Sequence, residues 1–348
     1  MTRVALISGC SGQDGGYLTT LLLDKNYEVF GLIRKSAEDK IQNLTNKFNN
    51  SRLHLRYGDL TDGSCITNIL SEIKNKYLNL ERLEVYNLGA ITHVKVSYGL
   101  PIYTGELNAI GPLRILEAIR VSGYSDKIRF YQASTSEMFG NSIENNNVPL
   151  NETSPFQPRS PYAIAKLFAH WTTVNYREAY GIFACSGILF NHSSKNRGSE
   201  FVTRKITLGL SDIIHGRKET LVLGNINSYR DWMHAEDCVR GMWQMLQMEK
   251  PDDYVLSSNE THQVREFIEK AFALKGFDIR WEGKNEDEVG IDNNTGRVLI
   301  TISSEFYRPA EVNLLLGDSS KARKILGWSE AWNFDALIEE MVTTDCSQ

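Results

Sequence analysis

A tyrosine and a lysine one helical turn apart are the residues of this sequence best suited to proton transfer. In the segment Tyr162-Ala-Ile-Ala-Lys166 the phenol and the ammonium are four residues apart, so a helix places both on one face. A free tyrosine has a pKa of about 10 and is a poor base at neutral pH. A fixed ammonium nearby would stabilise the phenolate and make Tyr162 a usable base. The same spacing is common on solvated helices, so this interpretation depends on the rest of the chain.

A second set of candidate groups lies in the segment Ser134-Thr-Ser-Glu137, directly after an apolar run typical of a strand. In open α/β sheets, ligands bind at the carboxyl ends of parallel strands. Thr135 could donate a hydrogen bond to the substrate oxygen that Tyr162 deprotonates, and Glu137 adds a second acid–base group. Simple hydride transfer has no use for that carboxylate, whereas removal of a carbon-bound proton requires one. The alternative is a capping cluster with a solvated Glu137.

A glycine-rich turn, Gly9-Cys-Ser-Gly-Gln-Asp-Gly15, stands between the first apolar run and the first helical pattern. Glycines are needed where the chain turns sharply and where the backbone approaches a pyrophosphate at a helix N-terminus. This position in an alternating strand–helix pattern predicts a dinucleotide site. The alternative is a glycine turn used only for close packing.

The end of the second strand indicates which dinucleotide binds. An NAD site has an acidic residue there for the ribose hydroxyl, but this chain has Arg34-Lys35-Ser36. Two cations and a hydroxyl suit a 2′-phosphate, which favours NADP, although a solvated basic pair is the alternative. Asp59-Leu60 would lie beside the adenine, and Leu88-Gly-Ala90 beneath the middle of the cofactor.

Strand and helix patterns alternate through the first half of the chain. Strands are predicted at 3–8, 27–33, 54–57, 84–88 and 128–133, and helices at 17–25, 64–76, 113–121 and 162–180. This alternation predicts an α/β fold, a Rossmann-type doubly wound parallel sheet with a smaller mixed α/β domain for the substrate. We place the NADP-binding domain at 1–185, with segments near 225–250 returning to it, and the substrate-binding domain mainly at 186–345. The stretches 140–158 and 284–296 are predicted to be exposed and irregular.

Composition narrows the function classes. The chain has 348 residues with 38 basic and 43 acidic side chains, a net charge of −5, which argues against nucleic acid as a partner. Five scattered cysteines without a C-x-x-C pair favour free thiols and a cytoplasmic location. No apolar run has the length of a membrane helix, so no membrane contact is expected. The seven scattered histidines predict no metal site.

Taken in order, these motifs resemble the GDP-mannose 4,6-dehydratase family of the extended short-chain dehydrogenases/reductases over nearly the whole chain. The segments that carry the resemblance are 9–15, 31–36, 86–90, 134–137, 158–162, 174–181, 187–192, 201–206, 230–232 and 307–312. The resemblance implies an NADP-dependent lyase acting on GDP-D-mannose. It also implies a homo-oligomer, a tetramer or dimer of dimers, in which the segment from Arg34 onward lies near a neighbouring subunit.

Roles for individual residues follow from the resemblance together with the positions above. The catalytic candidates are Thr135, Glu137, Tyr162 and Lys166. The cofactor candidates are Gly9, Gly12, Gln13, Asp14, Arg34, Lys35, Asp59, Leu60, Leu88, Ala90, Tyr103, Tyr162, Lys166, His192 and Arg197. The substrate candidates are Asn191, Val202, Lys205, Arg230, Arg308 and Glu311.

The implied product is GDP-4-keto-6-deoxy-D-mannose, which would feed deoxysugar synthesis of the GDP-fucose or GDP-rhamnose type. The nearest alternatives are another nucleotide-sugar dehydratase and a 4-epimerase. An epimerase needs only the tyrosine and lysine, so Glu137 argues against it, and Ser136 replaces the aspartate usual in glucose-nucleotide dehydratases. A catalytically silent NADP-binding or RNA-associated protein is a remote alternative, because such chains lose one of the reactive groups.

Overall fold

The computed structural model describes residues 1–36, 40–141, 149–307, 310 and 312–347. In chain order the strands are β1 (Thr2–Ser8), β2 (Glu28–Ile33), β3 (Leu53–Tyr57), β4 (Leu80–Asn87), β5 (Ile128–Thr135), β6 (Phe183–Leu189), β7 (Asn191–Ser193), β8 (Leu221–Leu223), β9 (Tyr229–Arg230), β10 (Trp232–His234), β11 (Asp253–Leu256), β12 (His262–Gln263), β13 (Ile279–Glu282), β14 (Val289–Asp292) and β15 (Val298–Ile302). The α-helices are α1 (Gln13–Asp24), α2 (Lys40–Phe48), α3 (Gly63–Lys76), α4 (Val94–Gly99), α5 (Pro101–Gly105), α6 (Gly111–Val121), α7 (Pro161–Tyr180), α8 (Val202–Ile214), α9 (Ala235–Met245), α10 (Val264–Ala273), α11 (Ser320–Leu326) and α12 (Phe334–Cys346). A π-helical segment, Glu106–Ile110, joins α5 to α6, and 3-10 turns include Ser136–Phe139 and Ser304–Phe306.

A seven-stranded sheet in the order β11-β6-β5-β4-β1-β2-β3 organises the first part of the chain. Every pairing within it is parallel. Starting from β3, the order 3-2-1-4-5-6 is that of the dinucleotide-binding fold, so the predicted Rossmann-type sheet is confirmed.

Helices cover both faces of this sheet, which explains why its strands are apolar almost throughout. In β1, Ala5 and Ile7 pack on the side of α1 and α9. Val4 and Leu6 pack on the opposite side, against α3 and α6. Successive residues of one strand therefore enter two different cores.

A smaller sheet, in the order β13-β14-β15-β8, forms the centre of a second core. Helices α8, α10 and α12 supply its buried residues, among them Ile206, Phe267 and Met341. The prediction that 284–296 is exposed and irregular holds for 284–287 and 293–296 but is wrong for the centre, since 289–292 form β14 in the middle of a sheet. Its acidic character is misleading because Asp292 is buried and accepts hydrogen bonds from the backbone of Asp278 and the hydroxyl of Thr295.

The stretch 140–158 also differs from the prediction where it is described, whereas 142–148 lies outside the described residues. Leu150 is fully buried and forms a β-bridge with Gly317, and Phe156 stacks on Phe139. The stretch is irregular, but these apolar side chains anchor it to the core.

Segments beyond residue 185 also contribute to the seven-stranded sheet. Strand β6 continues to residue 189, β11 pairs with it, and α9 packs beside α1. The division into 1–185 and 186–345 stays a prediction.

Candidate active site

A crevice opens where the order of the main sheet reverses, between the carboxyl ends of β1 and β4. The glycine-rich turn follows β1, and Leu88-Gly-Ala90 follows β4. Helix α1 begins at Gln13, within the glycine-rich segment, so its unpaired N–H groups face this region and favour an anion. A cavity of about 450 Å³ occupies the crevice.

The turn itself requires glycine at two positions. Gly9 has a φ of +74°, and a Cβ added there would lie 2.8 Å from the backbone nitrogen of Gly89. A Cβ on Gly15 would lie 2.3 Å from the carbonyl oxygen of Gly9. Larger residues would push the turn, helix and neighbouring loop apart, so these glycines keep the backbone close to any ligand in the crevice.

Most of the predicted cofactor residues line this 450 Å³ cavity, which we call the dinucleotide cavity. Those that do so are Gly9, Gly12, Gln13, Asp14, Arg34, Asp59, Leu60, Leu88, Ala90 and Arg197. Tyr162, Lys166 and His192 line the adjoining cavity described below.

Two predicted cofactor residues lie farther out. The hydroxyl of Tyr103 accepts a hydrogen bond of 2.8 Å from Arg34. The Nζ atom of Lys35 lies 3.4 Å from the hydroxyl of Tyr57, over its ring, instead of in the lining. Lys40, at the start of α2, does line the cavity, and no sequence motif surrounds it that would have predicted this position.

The four predicted catalytic residues line a second cavity of about 550 Å³, which we call the catalytic cavity. Thr135, Glu137, Tyr162 and Lys166 are all buried, with at most 9% of each residue exposed. The two cavities meet at shared lining residues, including Asp14, Leu88, Arg197 and Phe201. A nucleotide cofactor and a second ligand could therefore touch each other at this junction.

Local backbone structure presents these four side chains to the cavity. At the end of β5, the Thr135 hydroxyl accepts a hydrogen bond from the backbone of Glu137 and caps the following 3-10 turn. Ser160 caps α7 by accepting from Ala163, with Pro161 in the first turn. Tyr162 and Lys166 therefore lie on the buried face of α7, opposite the end of β5.

Burial controls the protonation of Tyr162 and Lys166. It raises the pKa of Tyr162 to about 12, with a further increase from Glu137 and opposing effects from Thr135 and Arg197. It lowers the pKa of Lys166 to about 8, against the effect of Asp14. The predicted role of Lys166 is to stabilise the phenolate, and in this structure its ammonium donates a hydrogen bond to the carbonyl of Ala133. Thr135 and Arg197 are the groups that lower the pKa of the phenol in this structure.

Four of the predicted substrate residues line the catalytic cavity, namely Asn191, Val202, Lys205 and Arg230. Arg308 and Glu311 lie outside the described residues. The amide oxygen of Asn191 is buried, and among the described residues nothing pairs with it, so it is available to a ligand.

Several other side chains lie in the catalytic cavity that the sequence alone does not predict as site residues. Lys95 on α4 contacts the carbonyl of Glu305 and reaches toward the ring of Phe306, while Lys205 lies 3.3 Å from the centre of that ring. Phe201 packs between His93, at 5.5 Å between rings, and the guanidinium of Arg197, at 3.7 Å. His93 and Phe201 fall in or beside motifs, but Lys95 and Phe306 have no signal of their own.

Membrane and metal features were expected to be absent from this chain. Within the described ranges, no helix is long and apolar enough to cross a membrane. The same residues contain no group of three or more His, Cys, Asp or Glu side chains arranged to hold a metal ion.

Solved structures with the same fold include enzymes of nucleotide-sugar chemistry. A dTDP-glucose 4,6-dehydratase from Bacillus anthracis in complex with NAD has a TM-score of 0.78 at 17% identity, over 99% of this chain and 96% of that one. A UDP-glucose 4-epimerase from Thermus thermophilus in complex with NAD has a TM-score of 0.75 at 21% identity, over 99% and 98%. The fold and the site define a Rossmann-type protein with a dinucleotide-sized crevice and a second ligand cavity beside it.

Sequence relatives narrow this class. Residues 6–341 match the family described as GDP-mannose 4,6 dehydratase. The GDP-mannose 4,6 dehydratase of Cricetulus griseus is 47% identical over 99% of this chain and 91% of the relative. The GDP-mannose 4,6-dehydratase of Sinorhizobium fredii strain HH103 is 48% identical over 99% and 97%. The chain belongs to the GDP-mannose 4,6-dehydratase family.

Proposed function

We propose that this chain is a hydro-lyase that converts GDP-D-mannose to GDP-4-keto-6-deoxy-D-mannose and water. The observation that carries the proposal is that a candidate tyrosine base, a carboxylate and two cations suited to phosphate line one cavity. Tyr162 and Glu137 lie there together with Lys205 and Arg230. Membership in a family whose relatives bear this activity in their names supports the substrate.

The dinucleotide cavity fits a nicotinamide nucleotide. Its glycine turn leaves room for a pyrophosphate, and the buried Nε of Arg197 has no partner among the described residues. Arg34 and Lys40 line the same cavity and would suit a 2′-phosphate, so NADP is the proposed form. The chemistry that a nicotinamide supplies when bound is reversible hydride transfer.

Tyr162 is the proposed base for the sugar 4-hydroxyl. Its raised pKa means that it rests as a phenol at neutral pH, so it needs groups that favour the phenolate as the proton moves. Thr135 and Arg197 provide that stabilisation in the protein. Lys166 contributes by fixing α7 against the end of β5.

Glu137 is the proposed acid–base group for loss of water. A ketone at carbon 4 acidifies the proton on carbon 5, which Glu137 removes, and a proton returns to the hydroxyl that leaves carbon 6. One carboxylate serves both transfers because its neighbour is Ser136. A 4-epimerase would have no use for this buried carboxylate, whereas the epimerase fold is otherwise closely similar.

The deciding experiment incubates the purified protein with GDP-mannose and, in parallel, with UDP-glucose and dTDP-glucose. We expect the mass of GDP-mannose alone to fall by one water. Loss of water from another nucleotide sugar only would replace the substrate and keep the mechanism. Inversion at carbon 4 without a change of mass would identify an epimerase.

An exposed apolar stripe on α7 supports a homo-oligomer, proposed as a tetramer or dimer of dimers. Ile164, Phe168 and Trp171 are 58%, 44% and 55% exposed, at helical spacings of four and three residues. Ile102 on the adjacent α5 extends the stripe at 84% exposure. A second copy related by a twofold axis would cover this surface with its own α7. The free cysteines fit the reducing conditions of the cytoplasm, the proposed location.

A further inference from the structure

The ring of His192 is held between two hydrogen-bond acceptors. Its Nε2 lies 2.9 Å from the carboxylate Oδ2 of Asp14, and its Nδ1 lies 2.9 Å from the carbonyl oxygen of Phe190. A carbonyl oxygen and an ionised carboxylate only accept hydrogen bonds. A neutral imidazole has one N–H and could satisfy only one of them, so with Asp14 ionised this geometry requires a proton on each ring nitrogen.

The other solution, a protonated Asp14 beside a neutral His192, conflicts with the surroundings of the carboxylate. Its second oxygen, Oδ1, accepts from the side-chain amide of Gln13 at 3.0 Å. Burial opposes ionisation of Asp14, but His192, Gln13 and Arg197 outweigh it and lower its pKa to about 2. For His192, burial favours the neutral ring, but Asp14 prevails and raises its pKa well above the usual range.

We propose that His192 is a positioning residue that is held as an imidazolium, neutralises Asp14 and fixes the glycine-rich turn to β7. Neutralisation matters because Asp14 lies in the first turn of α1 and lines both cavities. An unpaired carboxylate there would repel the phosphates of a dinucleotide. A hydrogen bond of 3.0 Å from Ser194, the residue that follows β7, to Gln13 gives a second link to the glycine-rich turn.

Other titratable groups around the pair leave this charge balance intact. Burial raises the pKa of the Cys238 thiol on α9, so it adds no anion at neutral pH. Arg197 lies beside Asp14 as a further cation, although burial lowers its pKa. Lys166 on α7 also interacts with Asp14, while Tyr162 nearby is a neutral phenol. With Asp14 paired to His192, the remaining cations are left to attract phosphate.

The first test measures protonation in the protein without any ligand. Chains labelled with nitrogen-15 in histidine are examined by NMR at about pH 8, above the ordinary histidine pKa of about 6.5. We expect both ring nitrogens of His192 to carry protons, its signal being identified by H192Q or, if that variant does not fold, by its shift in D14N. One bare ring nitrogen on His192 would overturn the proposal.

His234 provides an internal control in the same spectrum. Its Nδ1 accepts a hydrogen bond from the backbone of Glu236 at 3.1 Å, and its Nε2 faces Glu340 at 3.0 Å. The same reasoning therefore gives His234 a single ring proton. If His192 and His234 carried the same number of ring protons, their hydrogen-bond geometry would not determine their protonation, and the proposal would fail.

The second test measures NADPH binding by its fluorescence, without substrate, and it rests on the proposed cofactor. We expect H192Q to weaken binding by about 10- to 100-fold, because it leaves Asp14 as a buried unpaired charge. The double variant H192Q/D14N should bind at least about tenfold more tightly than H192Q alone. No gain in the double variant would reject charge neutralisation. If the protein failed to dehydrate GDP-mannose, the NMR test and the NADPH-binding test of this proposal would both remain valid.

Discussion

The ammonium Nζ of Lys166 donates a hydrogen bond of 2.8 Å to the backbone carbonyl oxygen of Ala133. Ala133 belongs to β5, and Thr135 and Glu137 follow it closely in the chain. The hydrogen bond therefore fixes the helix of Tyr162 against the strand of the other two reactive groups. Because Lys166 is only 3% exposed, its charge acts in a medium poor in water.

Thr135 is predicted to control the pH dependence of turnover. In T135V the hydrogen bond that lowers the pKa of Tyr162 is lost, so the phenolate forms less readily. The rise of kcat with pH should move to higher pH, and kcat at neutral pH should fall by about tenfold. The matched control is T172V, which alters a hydroxyl that bonds within α7. If the pH dependence of kcat were the same in T135V as in the wild type, Thr135 would have no role in the proton transfer.

Glu137 is predicted to act after the first oxidation. E137Q should lower formation of the dehydrated sugar by about 10²- to 10⁴-fold, because an amide cannot remove the proton on carbon 5. Absorbance of the reduced nicotinamide should still appear when substrate is added to the loaded enzyme. The control, E178Q, changes an exposed carboxylate on α7. Full dehydratase turnover in E137Q would show that another group is the base.

Arg34 is predicted to discriminate between phosphorylated and unphosphorylated cofactors more strongly than Lys35. Arg34 lines the dinucleotide cavity, whereas the Lys35 ammonium lies against Tyr57. R34A should weaken NADPH binding by about 10- to 100-fold and change NADH binding little. K35A serves as the matched control with a smaller effect. If R34A and K35A lost NADPH affinity equally, both Arg34 and Lys35 would be assigned to the 2′-phosphate, as the sequence predicts.

Glu340 on α12 is predicted to stabilise the loop that carries Arg197. It accepts from the backbone of Lys195 at 3.1 Å and lies 3.0 Å from His234. Burial opposes its ionisation, yet these partners lower its pKa from 4.5 to about 2. E340Q should reduce the free energy of unfolding at neutral pH by about 2–3 kcal/mol.

The sign of the pH effect follows from the lowered pKa of Glu340. The stabilisation is present above the ordinary glutamate value and is lost as the pH falls toward about 2. Urea unfolding of the wild type and E340Q should therefore differ less in acid than at neutral pH. E339Q, at an exposed neighbouring position, should match the wild type throughout. A loss in E339Q as large as in E340Q would mean that any charge change on α12 suffices.

Trp171 is predicted to lie in the contact between copies. W171E places a charge in the apolar stripe of α7 and should reduce the mass measured by light scattering. L78E is the control, because Leu78 is 86% exposed at a distant turn. An unchanged mass in W171E would place the contact elsewhere.

Much of the site could be predicted because its chemistry depends on local spacing. The four-residue step from Tyr162 to Lys166 fixes a shared helix face. Gly9 and Gly15 indicate a tight turn, since backbone geometry excludes other residues there. The apolar runs predicted buried strands for the same reason, because a parallel sheet hides both faces.

Predictions failed where a residue's surroundings come from distant segments. The acidic stretch 284–296 was predicted to be a loop, but the partners of Asp292 and the flanking strands give it a buried place. Lys40 and Lys95 line the cavities without any motif. Arg34 and Lys35 are adjacent in sequence, but Arg34 donates to Tyr103 and Lys35 lies against Tyr57, and these partners come from distant segments.

By itself, the sequence determined the first five strands of the main sheet, the glycine turn and the candidate reactive groups, because each depends on periodicity or on the freedom of a few neighbouring residues. Only the tertiary structure decided the charges in the site. Asp14 and His192 are 178 residues apart and become an ion pair when α1 and β7 meet. Burial raises the pKa of Tyr162, and two groups from separate segments, Thr135 at the end of β5 and Arg197 in a loop, lower it. These electrostatic effects depend on which distant segments are buried together in a low-dielectric interior. The spacing of residues along the chain does not predict which segments those are.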